Sequence, residues 1–233
     1  YFLQLAKETP EVQVVELGKS TLGADLFMAV ISHRDNMANL PELVAQSRRL
    51  RDAAGLTEAE ARQIARSGKP IVLATCNIHS TEIAASQMAM ELAYKLVTGQ
   101  TPYAQPDILR ETIFLLLPST NPDGQKMVVD WYRKYVGTKY EGGFMPHLYH
   151  PYAGHDNNRD WFMFTQKETR MNIELVQNKC KPIISHDMHQ QGPNGSRIFV
   201  PPFTDPFDPN IHPLLALGQA TVGQAMASAL IGE

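Results

Sequence analysis

Three short apolar runs, Ile71–Thr75, Ile113–Leu117 and Pro182–Asp187, each end in a knot of ligand-bearing side chains. Runs of this length and composition predict buried strands. The stretches Glu82–Val97, Lys126–Tyr135 and Lys167–Asn178 carry helical spacing and alternate with them. Alternating strands and helices predict an α/β fold with a mixed, largely parallel sheet and helices on both faces. Sheets of this kind bind ligands along the rim formed by the carboxyl ends of their strands. Parallel strands would therefore bring the three knots together.

The preceding residues predict a less regular edge. Tyr1–Lys7 suggests a short helix, and Val12–Leu17 and Leu26–Ile31 an antiparallel strand pair turned by Gly18-Lys19-Ser20 and Gly23. Pro41–Arg51 and Thr57–Arg66 read as polar surface helices, the second opened by a Thr57/Glu60 capping box. Beyond the third run, Arg197–Val200 suggests another strand and His212–Ile231 a helix.

With 233 residues and 43% hydrophobic content, one domain over 1–233 is expected. A net charge of −3 of mixed signs provides no basic face, which argues against nucleic acid or an anionic membrane as partner. No apolar run is expected to span a bilayer, and the first residues lack the features of a signal peptide. Cys76 and Cys180 are too few for a disulfide framework and read as buried thiols.

The first knot is His79-Ser80-Thr81-Glu82. A histidine and a carboxylate three residues apart can turn toward one cation, and zinc accepts that donor pair. The same residues also suit an ordinary helix start, with Ser80 as N-cap and Glu82 in the first turn. The second knot runs from Pro118 to Gly124. In the third, Ser185-His186-Asp187-Met188-His189, strand alternation places His189 and Asp187 on one side and His186 on the other. His189 is thus the ligand candidate, His186 a packed or hydrogen-bonded residue, and Asp187 either a support for the ligand or a surface carboxylate.

Between the second and third knots, Lys139–Trp161 is rich in aromatics, glycine and histidine, as a pocket-shaping loop would be. His147, His150 and His155 read as loop histidines rather than a second metal cluster. Asn158-Arg159 offers an amide and a guanidinium, which suit either a substrate carboxylate or a structural salt bridge.

Taken in order, His79-x-x-Glu82, Asn121-Pro122-Asp123-Gly124, Trp131-Tyr132-Arg133-Lys134, Asp156-Asn157-Asn158-Arg159-Asp160-Trp161 and Asp187-x-His189 resemble the zinc carboxypeptidases of the carboxypeptidase A type. The resemblance implies that His79, Glu82 and His189 hold Zn²⁺ with one position left for water, and that Arg133 polarises the scissile carbonyl. It also implies that Asn158 and Arg159 bind the free C-terminal carboxylate of a peptide substrate. The activity implied is that of a zinc metallocarboxypeptidase, secreted or periplasmic.

Thr81 and Gln190-Gln191 depart from the digestive branch. The family's general-base glutamate lies well downstream of the third ligand, whereas the only glutamate after His189 here is Glu233. The fold is accordingly expected to be incomplete at its C-terminus. Two further readings stay open: an amidase or deacylase acting on cell-wall peptides or acyl amino acids with the same zinc site, and an inactive zinc- or peptide-binding module.

Overall fold

A computed structural model describes residues 1–100, 108–192, 194–196, 198–203 and 208–232. The chain divides into two compact units, Tyr1–Gln190 and Gln191–Glu233.

The first unit is built on a five-stranded sheet of β1 (Val12–Lys19), β2 (Asp25–Ile31), β3 (Ile71–Cys76), β4 (Ile113–Leu117) and β5 (Ile184–Met188), in the order β1-β2-β4-β3-β5. β3 pairs in parallel with β4 on one side and β5 on the other, whereas β2 is antiparallel to β1 and β4. The sheet is therefore mixed, and only β2 runs against the common direction.

Alternation along the strands separates two cores. Leu73, Leu115 and Leu117 point to one face, where they pack with Leu43 of α3 (Leu40–Arg51) and with Val176 and Cys180. Ala74, Cys76 and Leu116 point to the other, against Phe2 of α1 (Phe2–Glu8) and Ala85, Ala89 and Ala93 of α5 (Ala84–Thr98). The three alanines recur every four residues, so they line one stripe of the helix. Their small side chains let α5 lie close on the sheet. Both cysteines are buried free thiols, as expected.

The remaining helices of this unit are α2 (Arg34–Ala38), α4 (Glu58–Ser67), α6 (Ile108–Glu111), α7 (Pro122–Tyr135), α8 (Lys167–Met171) and α9 (Asn178–Cys180). α8 and α9 are joined by a π-helical stretch, Asn172–Gln177. α7 starts four residues earlier than its apolar spacing predicts. Asn121 caps it by accepting from the Gly124 amide at 3.0 Å, and Pro122 suits the first turn.

The Thr57/Glu60 capping box opens α4 as the sequence predicts. Thr57→Ala should cost about 1 kcal/mol, read as a lower urea midpoint with unchanged slope; an unshifted midpoint would mean that this helix end frays in the native protein.

The β1–β2 turn is held from outside the hairpin. Asp123 accepts from Ser20 Oγ at 2.6 Å and from the Leu22 amide at 2.9 Å, and Glu168 accepts from the Thr21 amide at 2.6 Å. Both carboxylates are buried.

Two expectations need correction in the second unit. Arg197 lies outside the described residues, and Ile198–Val200 form no strand. Helix α10 (Pro213–Ile231) is long and apolar enough to cross a membrane by length and composition, contrary to the expectation that no segment is. It contains no Asp, Glu, Lys or Arg, but its glycine, alanine and glutamine break up the apolar run and hide the length. A core helix of a soluble protein meets the same criterion.

Candidate metal centre

The three strand ends meet because polar side chains tie them together. Ser119 Oγ, just after β4, donates to Asn77 Oδ1 at 3.0 Å, and Asn121 Nδ2 donates to the Ile78 carbonyl at 3.0 Å. Thr75 Oγ1 in β3 donates to Asp187 Oδ1 in β5 at 2.6 Å.

The first corner is not the helix start that Ser80 suggests. Asn77 adopts a left-handed conformation, φ 57°, and its Nδ2 reaches the His79 carbonyl at 3.2 Å. This wraps His79–Glu82 into a turn, and α5 begins only at Ala84. Ser80 instead donates to the Leu148 carbonyl at 3.3 Å, which anchors the aromatic loop.

His79, Glu82 and His189 present donor atoms that all lie within 4.8 Å of one another. The carboxylate stands between the two imidazoles: Oε1 is 2.8 Å from His79 Nδ1, and Oε2 is 3.1 Å from His189 Nδ1. The Gln190 amide donates to Oε2 at 3.0 Å. Each histidine is held from behind by a second carboxylate. His79 Nε2 lies 2.9 Å from Asp156 Oδ1, and His189 Nε2 lies 2.9 Å from Asp187 Oδ2.

A carboxylate behind an imidazole sets its tautomer, leaving the other nitrogen's lone pair for a metal. Zinc with bonds of about 2.1 Å spaces tetrahedral ligands about 3.4 Å apart. The donor set therefore fits such an ion after small rotations.

Charge follows the same contacts. The Asp187 hydrogen bond raises the His189 pKa above the ordinary histidine value, with partial burial acting against it. For Asp187, burial acts upward but is outweighed by His189 and Thr75, which hold the carboxyl below the usual range.

Asp156 also opens the 3₁₀ turn Asn157–Arg159 by accepting from the Asn158 amide at 2.7 Å. One carboxylate thus orients His79 and begins the turn that carries Asn158 and exposed Arg159. Arg133 sits exposed in the last turn of α7. Among the described residues, no hydrogen bond or ion pair links it to the His–Glu–His cluster.

His186, expected to be packed or hydrogen-bonded, is exposed: β5 is an edge strand, and among the described residues no strand pairs with its outer side. Two of the three loop histidines have separate partners: His150 stacks on Tyr152 at 4.5 Å, and His155 Nε2 lies 2.9 Å from Asp160 Oδ1. They form no metal cluster among the described residues. Nothing local in the sequence singles out Asp156 or Gln190 for a role at the site. Asp156 was legible only as the first letter of its motif.

A model of the zinc carboxypeptidase family matches residues 1–194. The chain belongs to the zinc carboxypeptidase family. No curated protein matches it in sequence. Among solved structures, this zinc carboxypeptidase chain is similar to carboxypeptidase A from Helicoverpa armigera, with 18% identity and a TM-score of 0.51. It is also similar to a metallo-carboxypeptidase from Burkholderia cenocepacia, with 18% identity and a TM-score of 0.50. A third is a metallo-carboxypeptidase from Pseudomonas aeruginosa in complex with (2-guanidinoethylmercapto)succinic acid, with 15% identity and a TM-score of 0.50. Each similarity covers 82% of this chain but only 44%, 39% and 38% of those chains, respectively. The chain therefore spans less than half the length of these relatives, and at such identity the likeness carries the fold alone.

Proposed function

We propose that this chain carries the zinc centre of a metallocarboxypeptidase that releases C-terminal residues from peptides. The observation that supports this best is the doubly held ligand set. Two imidazoles share one carboxylate on their Nδ1 side, and each is gripped by a separate aspartate at Nε2. In the proposal His79, Glu82 and His189 hold Zn²⁺. A zinc ion with three protein ligands supplies a water of lowered pKa and polarises a carbonyl.

The other roles follow the family pattern. Asn158 and Arg159, two and three residues after the carboxylate that orients His79, bind the free carboxylate of the substrate. The guanidinium suits that task because it pairs with a carboxylate through two parallel hydrogen bonds. The P. aeruginosa relative binds a succinic acid derivative, a ligand with the same chemical handle. Arg133 polarises the scissile carbonyl, a role resting on its motif alone. Location outside the cytoplasm belongs to the same proposal and rests on the family.

The test compares matched peptides with free and amidated C-termini, using the complete protein. The free acid should be cleaved at least about 100-fold faster in kcat/KM, and Arg159→Ala should remove most of that preference, a charge-assisted hydrogen-bond pair being worth about 3 kcal/mol. Equal cleavage of both peptides would overturn the exopeptidase reading. Exclusive cleavage of acyl amino acids or cell-wall amides would replace it with the deacylase one.

A further inference from the structure

The aromatic loop places one ring on the metal centre to which no role has yet been given. The Tyr149 ring lies 4.8 Å from the His79 ring, centroid to centroid, with the planes 36° apart. Its place is set through the backbone. Asn121 Nδ2 donates to the Tyr149 carbonyl at 2.8 Å and to the Ile78 carbonyl at 3.0 Å, so one amide ties the loop to the residue before His79. Ser80 holds the neighbouring Leu148 carbonyl at 3.3 Å.

Gly124 completes the clasp. A Cβ at position 124 would stand 2.2 Å from the Tyr149 carbonyl oxygen, far inside any real contact. This glycine is thus required by the close approach of the loop backbone rather than by an unusual conformation. The Asn-Pro-Asp-Gly motif caps α7 and also receives the loop: Asn121 binds it and Gly124 makes room for it.

We infer that Tyr149 is a positioning residue for His79, planted on the imidazole by the Asn121–Gly124 clasp. The inference rests on the proposal that His79 is a zinc ligand. Glu82 at Nδ1 and Asp156 at Nε2 locate the imidazole within its own plane. Two in-plane contacts leave rotation about the Nδ1–Nε2 axis soft. A flat aromatic side chain against the ring resists out-of-plane movement of the imidazole, about the Cβ–Cγ bond as well as about that axis, and so keeps the Nδ1 lone pair directed at the ion.

The test measures zinc affinity by chelator competition, and the visible spectrum of the cobalt-substituted chain, for wild type, Tyr149→Phe, Tyr149→Ala, Tyr149→Leu and Gly124→Ala. Tyr149→Phe should stay within about twofold of wild type, since it keeps the ring. Tyr149→Ala and Tyr149→Leu should weaken zinc by roughly tenfold, as loss of other ligand-orienting groups does, and should shift the cobalt bands. Gly124→Ala should do the same although it touches no ligand; should it fail to fold, the two Tyr149 truncations decide alone.

Wild-type affinity and an unshifted cobalt spectrum in Tyr149→Ala and Tyr149→Leu would overturn the inference. So would a loss in Tyr149→Phe as large as in Tyr149→Ala. A wild-type chain that binds no zinc would overturn the metal-centre proposal itself, which is visible before any variant is made.

Discussion

Glu82→Ala is expected to abolish zinc binding by the folded chain. Glu82 touches both imidazoles and also receives the Gln190 amide, so its removal takes away one of the three proposed ligands and the spacer that separates the other two. The loss should exceed the ten- to about 100-fold seen when groups behind metal ligands are removed. Glu82→Gln keeps the shape and can still accept from Gln190, but lacks the charge, so it separates charge from packing. The measurements are metal content after dialysis against zinc-buffered solution, chelator competition, and circular dichroism to verify folding. One zinc retained per folded Glu82→Ala chain would place the ion elsewhere.

Asp160→Asn should be the most destabilising conservative substitution near the site. Asp160 is fully buried; it accepts from the Gln166 amide at 2.9 Å and from the Thr165 amide at 3.2 Å, and is also bonded by the Thr165 hydroxyl and His155. It therefore seals the segment between the Asn158–Arg159 turn and α8. Burial alone would raise its pKa, but the bonds from Thr165, Gln166, His155 and Thr169 prevail and lower it from 3.8 to about 2.

The sign of the pH effect follows from that direction. A carboxyl depressed in the native state stabilises the fold above its unfolded pKa, and that contribution disappears as pH falls through the native one. Here the window runs from 3.8 down to about 2, and the shift corresponds to roughly 2 kcal/mol. The substitution should cost about 3 kcal/mol at pH 7, because it also places an amide among groups that donate. The gap between variant and wild type should narrow in acid. Urea unfolding at pH 7 and pH 3 checks this; a gap of equal size at both would show that the charge of Asp160 contributes nothing.

The parts of this structure that were legible in the sequence are those governed by short-range pattern. Ile71–Thr75 and Ile113–Leu117 announce buried strands because every residue is apolar or small, and the sheet gives both those places. Period-two alternation put His189 and Asp187 on the same side, and the two side chains do meet. What escaped was decided by contacts distant in sequence. Ser80 has the chemistry of an N-cap, but the Leu148 carbonyl, 68 positions away, takes its hydroxyl. Asp156 reaches His79 across 77 positions, a distance at which no local periodicity operates. Alternation makes His186 a packed or hydrogen-bonded residue, but it says only which face a residue points to, not whether that face is covered.

The grip on the first hairpin's turn also sets an order of events. Ser20 and Leu22 find their acceptor at Asp123, and Thr21 finds its own only at Glu168. A chain made from its N-terminus exposes β1 and β2 long before either carboxylate exists. Until then the turn keeps its polar groups in water, although the strands it joins already have Phe2 of α1 to pack against. Loop closures of 101 to 147 residues are slow relative to local pairing. The turn between two strands made before the rest of this sheet is therefore among the last parts of the first unit to be fixed, once Glu168 has been made.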